Sequence, residues 1–87
     1  MKTTQEMLQD VIELKKSDKD MIIFEIDDLM QIVVEIYSLE DCDTLKIAIE
    51  LRYIETKEVL QSISCDYDDD MVLEVCLKHI RDCTFMY

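Results

Sequence analysis

The sequence of 87 residues contains neither glycine nor proline. Average usage would give about ten of the two together in a chain of this length. Glycine supplies the positive φ angles of many hairpin turns, and parallel α/β folds usually need it in their loops. Helices joined by short turns of serine and aspartate need neither residue. The absence therefore predicts an all-α protein.

Basic residues are scarce as well, since 9 Lys and Arg stand against 21 Asp and Glu and give a formal net charge of −12. A chain this acidic is repelled by nucleic-acid phosphates and by anionic membrane surfaces. Direct binding to nucleic acid or to a membrane surface is therefore not expected, and basic protein partners are favoured. The simpler interpretation is that the charge only keeps an apolar-rich protein in solution.

Long apolar runs are also missing. The first twenty residues carry nine charged side chains, which leaves no room for the apolar part of a secretory signal. No run approaches the roughly 18 apolar residues of a membrane span. These features predict a cytoplasmic protein, in which the four cysteines are reduced thiols.

Two amphipathic helices are predicted near the two ends of the sequence. Thr3 followed by Glu6 forms a capping-box pattern, which opens a helix over about 4–16. A last helix is predicted over about 69–83 because apolar residues recur there at helical spacing. Its inner stripe consists of Leu73, Cys76, Ile80 and Cys83.

The stretch 21–37 is the most apolar part of the sequence, and apolar residues recur in it at steps of four and three. This pattern predicts a helix with two apolar stripes, more than three short neighbours can cover. The second stripe predicts a subunit or partner interface formed by Ile23, Met30, Val34 and Tyr37. An alternative interpretation makes 21–26 a short strand, because its residues are typical of strands.

The segment after Ser38 permits two interpretations. Glu40 and Asp41 follow Ser38 as a polar break, and a third helix to about residue 63 fits the spacing of apolar residues. Residues 45–53 also alternate between apolar and polar, which is typical of a half-buried strand. We expect the helix, and hence one domain over 1–87 that is a bundle of about four helices. The alternative is an α+β fold with a strand at 45–53.

An acidic surface is predicted just before the last helix, at Asp66, Asp68, Asp69 and Asp70. These residues suit the start of a helix, where carboxylates accept hydrogen bonds from free N–H groups. Their spacing is similar to the first half of a calcium loop. However, Met71 and Leu77 stand where such a loop needs glycine and glutamate, so no calcium site is expected.

One cluster could carry metal or acid–base chemistry. Cys76, His79 and Cys83 share one face of the last predicted helix, and Cys65 or Cys42 could complete a zinc site. Structural zinc sites usually take paired ligands from a tight CxxC knuckle, which the sequence lacks. His79 is the sole histidine, and catalysis beside it would also need a cleft and an oxyanion hole. We therefore expect no metal, no cofactor and no enzymatic activity.

Taken together, the sequence predicts a small acidic regulator or inhibitor that binds a protein partner and self-associates, most simply as a dimer. Its compact and acidic character is typical of phage or viral accessory proteins. One alternative is a nucleic-acid mimic that blocks a basic DNA- or RNA-binding protein. Another is an oligomeric sponge for a nucleotide, which would need converging cations from Lys15, Lys16, Lys19 or Arg52.

Overall fold

The computed structural model describes residues 2–39 and 44–86, in which one helix precedes and one follows a four-stranded sheet. The elements are α1 (Thr4–Lys15), β1 (Met21–Glu25), β2 (Met30–Ser38), β3 (Leu45–Tyr53), β4 (Val59–Asp66) and α2 (Asp70–Cys83), followed by a 3₁₀ turn at Thr84–Met86. The fold is α+β, so the predicted all-α bundle is wrong. The alternative prediction was an α+β fold with a strand at 45–53, and that strand is confirmed.

The sheet is an antiparallel meander in the order β1-β2-β3-β4. Its register places Ile22 beside Val34, Val34 beside Ile49, and Ile49 beside Ile63. Since successive side chains of a strand point to opposite faces, these rows define two faces. The row of Ile22 belongs to the face that carries the helices, which we call the core face. We call the opposite one the outer face.

The hydrophobic core lies between the core face and the two helices. α1 contributes Met7 and Val11, and α2 contributes Leu73, Leu77 and Ile80. Their partners on the sheet are fully buried aliphatic side chains, namely Ile32, Val34, Ile47, Ile49 and Leu51. Burial of each such side chain stabilises the fold by about 1.5–3 kcal/mol before conformational entropy is counted. One side of the sheet thus supplies nearly all of the packing.

Both predicted terminal helices are confirmed, together with the capping box. The Thr3 hydroxyl accepts from the Glu6 amide at 3.2 Å, and the Glu6 carboxylate accepts from the Thr3 amide at 3.0 Å. The hydrogen bonds from Thr3 hold the pKa of Glu6 below its ordinary value. At the second helix, Asp69 accepts from the Val72 amide at 3.1 Å. Each helix therefore begins where a side-chain oxygen satisfies a free N–H group.

The predicted helix over 21–37 is wrong, since this stretch forms β1, a turn and β2. The turn forms because one Asp27 carboxylate oxygen accepts from the amides of Leu29 and Met30 at 2.8 and 2.9 Å. The pattern was misleading because β2 buries Val33 on the outer face as well as its core-face residues. A strand that is apolar on both faces has no clear alternation from which to recognise it.

The predicted helix from Ser38 to about residue 63 is also wrong, because β3 and β4 form a hairpin there. The Tyr53 amide donates to the Glu58 carbonyl at 3.0 Å across the turn. Lys57 has a φ of 62°, which is the conformation for which glycine is usually needed. The predicted break at Glu40 and Asp41 lies outside the described residues. In residues 2–39 and 44–86, no helix is long and apolar enough to cross a membrane.

Candidate protein-binding surface

The described elements leave the outer face uncovered, since both helices pack on the core face. It carries the odd-numbered residues of β1 and β2 and the even-numbered residues of β3. On β4 it continues through Ser62 and Ser64, which are exposed. An uncovered sheet face normally carries polar side chains in alternation with the core. Apolar residues on it therefore require an explanation.

An apolar strip crosses the outer face from β1 to β3. It consists of Met21, Ile23, Val33 and Ala48. Ile23 lies beside Val33 in the register, and Ile23 and Met21 remain 48% and 47% exposed. Val33 is only 1% exposed although no described helix covers it, because it lies between Ile23 and Glu50 on the neighbouring strands. The strip therefore has a well-packed centre and an accessible apolar margin at β1.

Charged side chains surround this strip on the outer face, and the cations among them are already in ion pairs. Arg52 donates to both carboxylate oxygens of Glu50, at 3.1 and 3.3 Å. Lys46 bonds Asp66 at 3.0 Å, and this hydrogen bond raises the pKa of Lys46. Among the described residues, Glu25 and Glu35 of the same face take part in no ion pair. The charge left for a partner on this face is negative.

The β1 strand is an open edge of the sheet. The Ile36 amide donates to the Asp20 carbonyl at 2.7 Å, and the Ile26 amide donates to the Met30 carbonyl at 3.2 Å. In an antiparallel ladder, bonded residues alternate with residues whose N–H and C=O groups point away from that neighbour. The even-numbered residues of β1 thus bond to β2. Met21 and Ile23 direct their backbone groups away from the sheet.

The other edge of the sheet is protected differently. β4 has a register irregularity opposite Leu51 and Arg52, and small polar residues occupy much of its outer side. Irregular pairing and polar edges both disfavour the addition of another strand. β1 has neither an irregular register nor small polar residues on its outer side. Beside it, an open groove of about 530 Å³ runs next to α1 and is lined in part by Leu14, Met21 and Ile22.

The residues of the predicted interface do not lie on one surface. Ile23 and Tyr37 are on the outer face, where Ile23 is half exposed and Tyr37 is partly buried. Met30 and Val34 are in the hydrophobic core beneath the helices. The four residues were grouped by helical spacing, which the two strands do not have. Of the four, Ile23 and Tyr37 can reach a partner without unfolding of the chain.

The predicted acidic surface is partly neutralised within the chain. Asp66 pairs with Lys46, and Asp70 pairs with Lys15 at 2.6 Å. Asp69 caps α2, as described above, so Asp68 is the most available carboxylate of the four predicted residues. Lys15 is held further by the Tyr67 carbonyl at 2.7 Å. This loop is therefore a poorer source of free negative charge than the sequence suggests.

A second group of carboxylates was not recognised from the sequence. The β1–β2 and β3–β4 turns lie side by side, since the Ile54 amide donates to the Leu29 carbonyl at 2.8 Å. Exposed acids occupy both turns, at Asp27, Asp28, Glu55 and Glu58. Their proximity depends on the pairing of β2 with β3, so only a prediction of the sheet could have found it.

The cysteine and histidine cluster is divided between core and solvent. Cys76 and Cys83 are buried, whereas His79 is exposed and has its Nε2 atom 3.9 Å from the Cys83 sulfur. Cys65 is buried beside Cys76, and burial raises the pKa of its thiol to about 11. Cys42 lies outside the described residues. Among residues 2–39 and 44–86, no group of three or more histidine, cysteine and acidic side chains is placed to hold a metal.

The four cations considered for a nucleotide sponge do not converge in one protomer. Lys15, at the end of α1, forms an ion pair with Asp70, and Arg52 forms one with Glu50 on the outer face. Lys16 and Lys19 are exposed in the connection between α1 and β1.

Comparison of the chain with protein-family models, curated proteins and solved structures found no match. The candidate surface is therefore interpreted from its own geometry.

Proposed function

We propose that the protein is a non-enzymatic regulator that acts in the cytoplasm by binding a basic protein partner, itself being a homo-oligomer. The observation that carries this proposal is the outer face, where an accessible apolar strip adjoins the unpaired carboxylates of Glu25 and Glu35. Protein interfaces combine an apolar centre with a polar rim in this way. The three described cysteines are buried free thiols, which supports a reducing compartment.

The net charge of −12 supports a basic partner on physical grounds. A strongly acidic surface accelerates encounter with a cationic one and disfavours acidic competitors. Salt screens such attraction beyond a Debye length of about 8–10 Å at ordinary ionic strength. Affinity for the basic partner should therefore fall as sodium chloride is added.

The test is an affinity measurement with a partner captured from the native host cell and then purified. Ala48→Lys places a cation in the middle of the outer face without entering the core. Its matched control is Val75→Lys, which adds the same charge on the exposed side of α2. We expect Ala48→Lys to weaken binding at least about tenfold and Val75→Lys to have little effect. Equal effects of the two variants would contradict binding through the outer face.

A second candidate function is mimicry of nucleic acid, and the adjacent turns favour it. One end of the sheet groups four carboxylates that form no ion pair with the other described residues, at Asp27, Asp28, Glu55 and Glu58. Rows of carboxylates can occupy the phosphate-binding groove of a basic protein. This function predicts that DNA or RNA displaces the protein from its partner. It also predicts that Asp28→Lys with Glu55→Lys weakens binding more than Ala48→Lys does.

A further inference from the structure

We propose that β1 is the self-association edge, at which a second copy of the chain adds its own β1 in antiparallel orientation, with Ile22 opposite Ile22. The two four-stranded sheets then continue as one sheet of eight strands. This inference rests on the self-association included in the proposed function and specifies its surface and register. It does not depend on the identity of the basic partner.

The backbone of β1 is suited to this pairing. The N–H and C=O groups of Met21 and Ile23 point away from β2, as the bonds at Asp20 and Ile26 require. Pairing about Ile22 sets Met21 of one copy opposite Ile23 of the other, twice by symmetry. Each such pair exchanges two N–H···O bonds across an antiparallel ladder. The exposed backbone groups at the centre of the edge are thereby satisfied.

The side chains select the same register. With Ile22 at the symmetry axis, the half-exposed Met21 and Ile23 side chains contact each other on the outer face. Two residues further along, Lys19 comes opposite Glu25 of the second copy. Opposite charges and apolar pairs at directly opposed positions both stabilise a sheet.

The neighbouring registers match less well. A shift of two residues in one direction sets Met21 against Glu25, so that an apolar side chain faces a charge. A shift in the other direction sets Lys19 against Ile23. Ladder geometry requires shifts of two, because Met21, Ile23 and Glu25 carry the free backbone groups. Pairing about Ile22 is thus the register that sets apolar residues opposite apolar residues and Lys19 opposite Glu25.

The groove beside α1 accommodates the core-face side of the joint. Ile22 is partly buried there, and the groove of about 530 Å³ also contains Leu14. Ile22 of the second copy would enter this groove beside Ile22, in a non-hydrogen-bonded pair whose side chains approach closely. Apolar contact is thereby made on both faces of the new sheet. No comparable apolar match is found along the described residues of β4, whose outer side includes Ser62 and Ser64.

Net charge opposes this dimer, since two copies of −12 repel each other. Added salt screens the repulsion, so self-association should become stronger as sodium chloride rises. Binding of the basic partner should show the opposite dependence. The response to sodium chloride concentration therefore distinguishes dimerisation from binding of the basic partner.

Sedimentation equilibrium of the purified full chain, at low and high sodium chloride, measures the dimer directly. Ile23→Lys places a charge at the centre of the joint and should weaken dimerisation at least about tenfold. The matched control is Val59→Lys, which is 44% exposed on the opposite edge strand and adds the same charge. It should dimerise at least as well as the parent. Far-ultraviolet circular dichroism confirms that both variants are folded.

A charge exchange tests the register without touching an apolar residue. Lys19→Glu alone and Glu25→Lys alone each place like charges opposite each other, and each should weaken the dimer several-fold. The double variant restores opposite charges and the parental net charge, so dimerisation should recover. Failure of the double variant to recover would overturn the Ile22 register.

Two other results would overturn the inference as a whole. One is a monomer at millimolar protein concentration in high salt. The other is a dimer that Val59→Lys disrupts as much as Ile23→Lys does. Neither result bears on the partner-binding test with Ala48→Lys and Val75→Lys. If that test fails while the dimer behaves as expected, the proposed regulator function is wrong and the β1 joint stands.

Discussion

Val33 and Val34 are consecutive residues that are both buried, but for different reasons. Val34 belongs to the core beneath the helices. Val33 is on the outer face, where it lies between Ile23 and Glu50 of the neighbouring strands. Because the side chains of a strand alternate, two consecutive buried residues mean that both faces of β2 exclude water at that point. An outer face that excludes water locally is a favourable base for a contact with another chain.

Val34→Asp should unfold the protein or lower its free energy of unfolding by about 4 kcal/mol or more. The new carboxylate would lie in the core without a partner, and burial of an unpaired charge is among the costliest single changes. Denaturation by urea measures the loss. Ser64→Asp adds the same charge at an exposed position of the outer face and should change stability little. A soluble, folded Val34→Asp monomer would show that Val34 is an interface residue.

The Cys65 thiol makes a second prediction at the scale of one residue. Burial raises its pKa from an ordinary value of 9.0 to about 11. The folded state therefore holds this proton more tightly than the unfolded state does. The associated stability is complete below about pH 9 and is lost as pH rises toward 11.

Cys65→Val is the comparison that isolates this effect. The difference in free energy of unfolding between parent and variant should change between pH 9 and 11 in favour of the variant. Thiolate content at Cys65 below pH 9 is about a hundredfold lower than in an unperturbed thiol, so alkylation should be correspondingly slow. Parallel stability curves for parent and variant over this pH range would contradict the raised pKa.

The turns show how a chain without glycine builds a sheet. The β1–β2 turn uses the Asp27 carboxylate to accept two backbone N–H groups. The β3–β4 turn places Lys57 at a φ of 62°. The absence of glycine indicated helices because glycine is the usual residue for such turns. Here two hydrogen bonds to one carboxylate oxygen and one strained residue take its place.

Lys57→Gly should stabilise the protein by about 0.5–1 kcal/mol. Removal of Cβ relieves a left-handed conformation that costs about 1–2 kcal/mol, and the greater freedom of glycine in the unfolded chain offsets part of this. Thermal unfolding measures the gain. Lys57→Ala keeps Cβ and removes the same charge, so it serves as the control and should show no comparable gain. A loss of stability in Lys57→Gly would mean that the Lys57 side chain itself supports the turn.

The elements differ in how far the sequence determines them locally. α1 and α2 were predicted within about two residues because caps and one-sided apolar stripes are local signals. β3 was recognised as an alternative by its alternation. β1 was recognised as an alternative because the residues of 21–26 are typical of strands, whereas β2 was missed because burial on both of its faces hides the period of two. Of the predicted interface residues, Ile23 and Tyr37 lie on the candidate surface, whereas Glu25, Glu35 and the β1 edge follow from pairing that no local pattern reveals.

At the scale of the whole molecule, a surface with a large excess of negative charge surrounds the hydrophobic core. Four ion pairs are formed among the described residues, so most of the 21 acids are left to repel one another. Such repulsion destabilises a compact state. The stability of this protein should therefore respond to ionic strength more than that of a neutral domain.

Moderate sodium chloride should raise the free energy of unfolding by about 1 kcal/mol, since screening weakens the repulsion. The experiment is thermal unfolding over a salt series at protein concentrations where only the monomer is present, which separates screening from dimerisation. Sucrose serves as the control for effects that do not involve charge. A melting temperature that falls with added salt would show that the native ion pairs outweigh the repulsion.

The helix α2 also determines when the protein can become compact during synthesis. The strands are adjacent in sequence, so the meander can form as soon as residue 66 has emerged from the ribosome. Its core face beneath α2 then stays open until Leu73, Leu77 and Ile80 follow. A chain truncated between residues 66 and 80 would therefore present a formed sheet with a solvent-exposed apolar face, a substrate suited to chaperone binding.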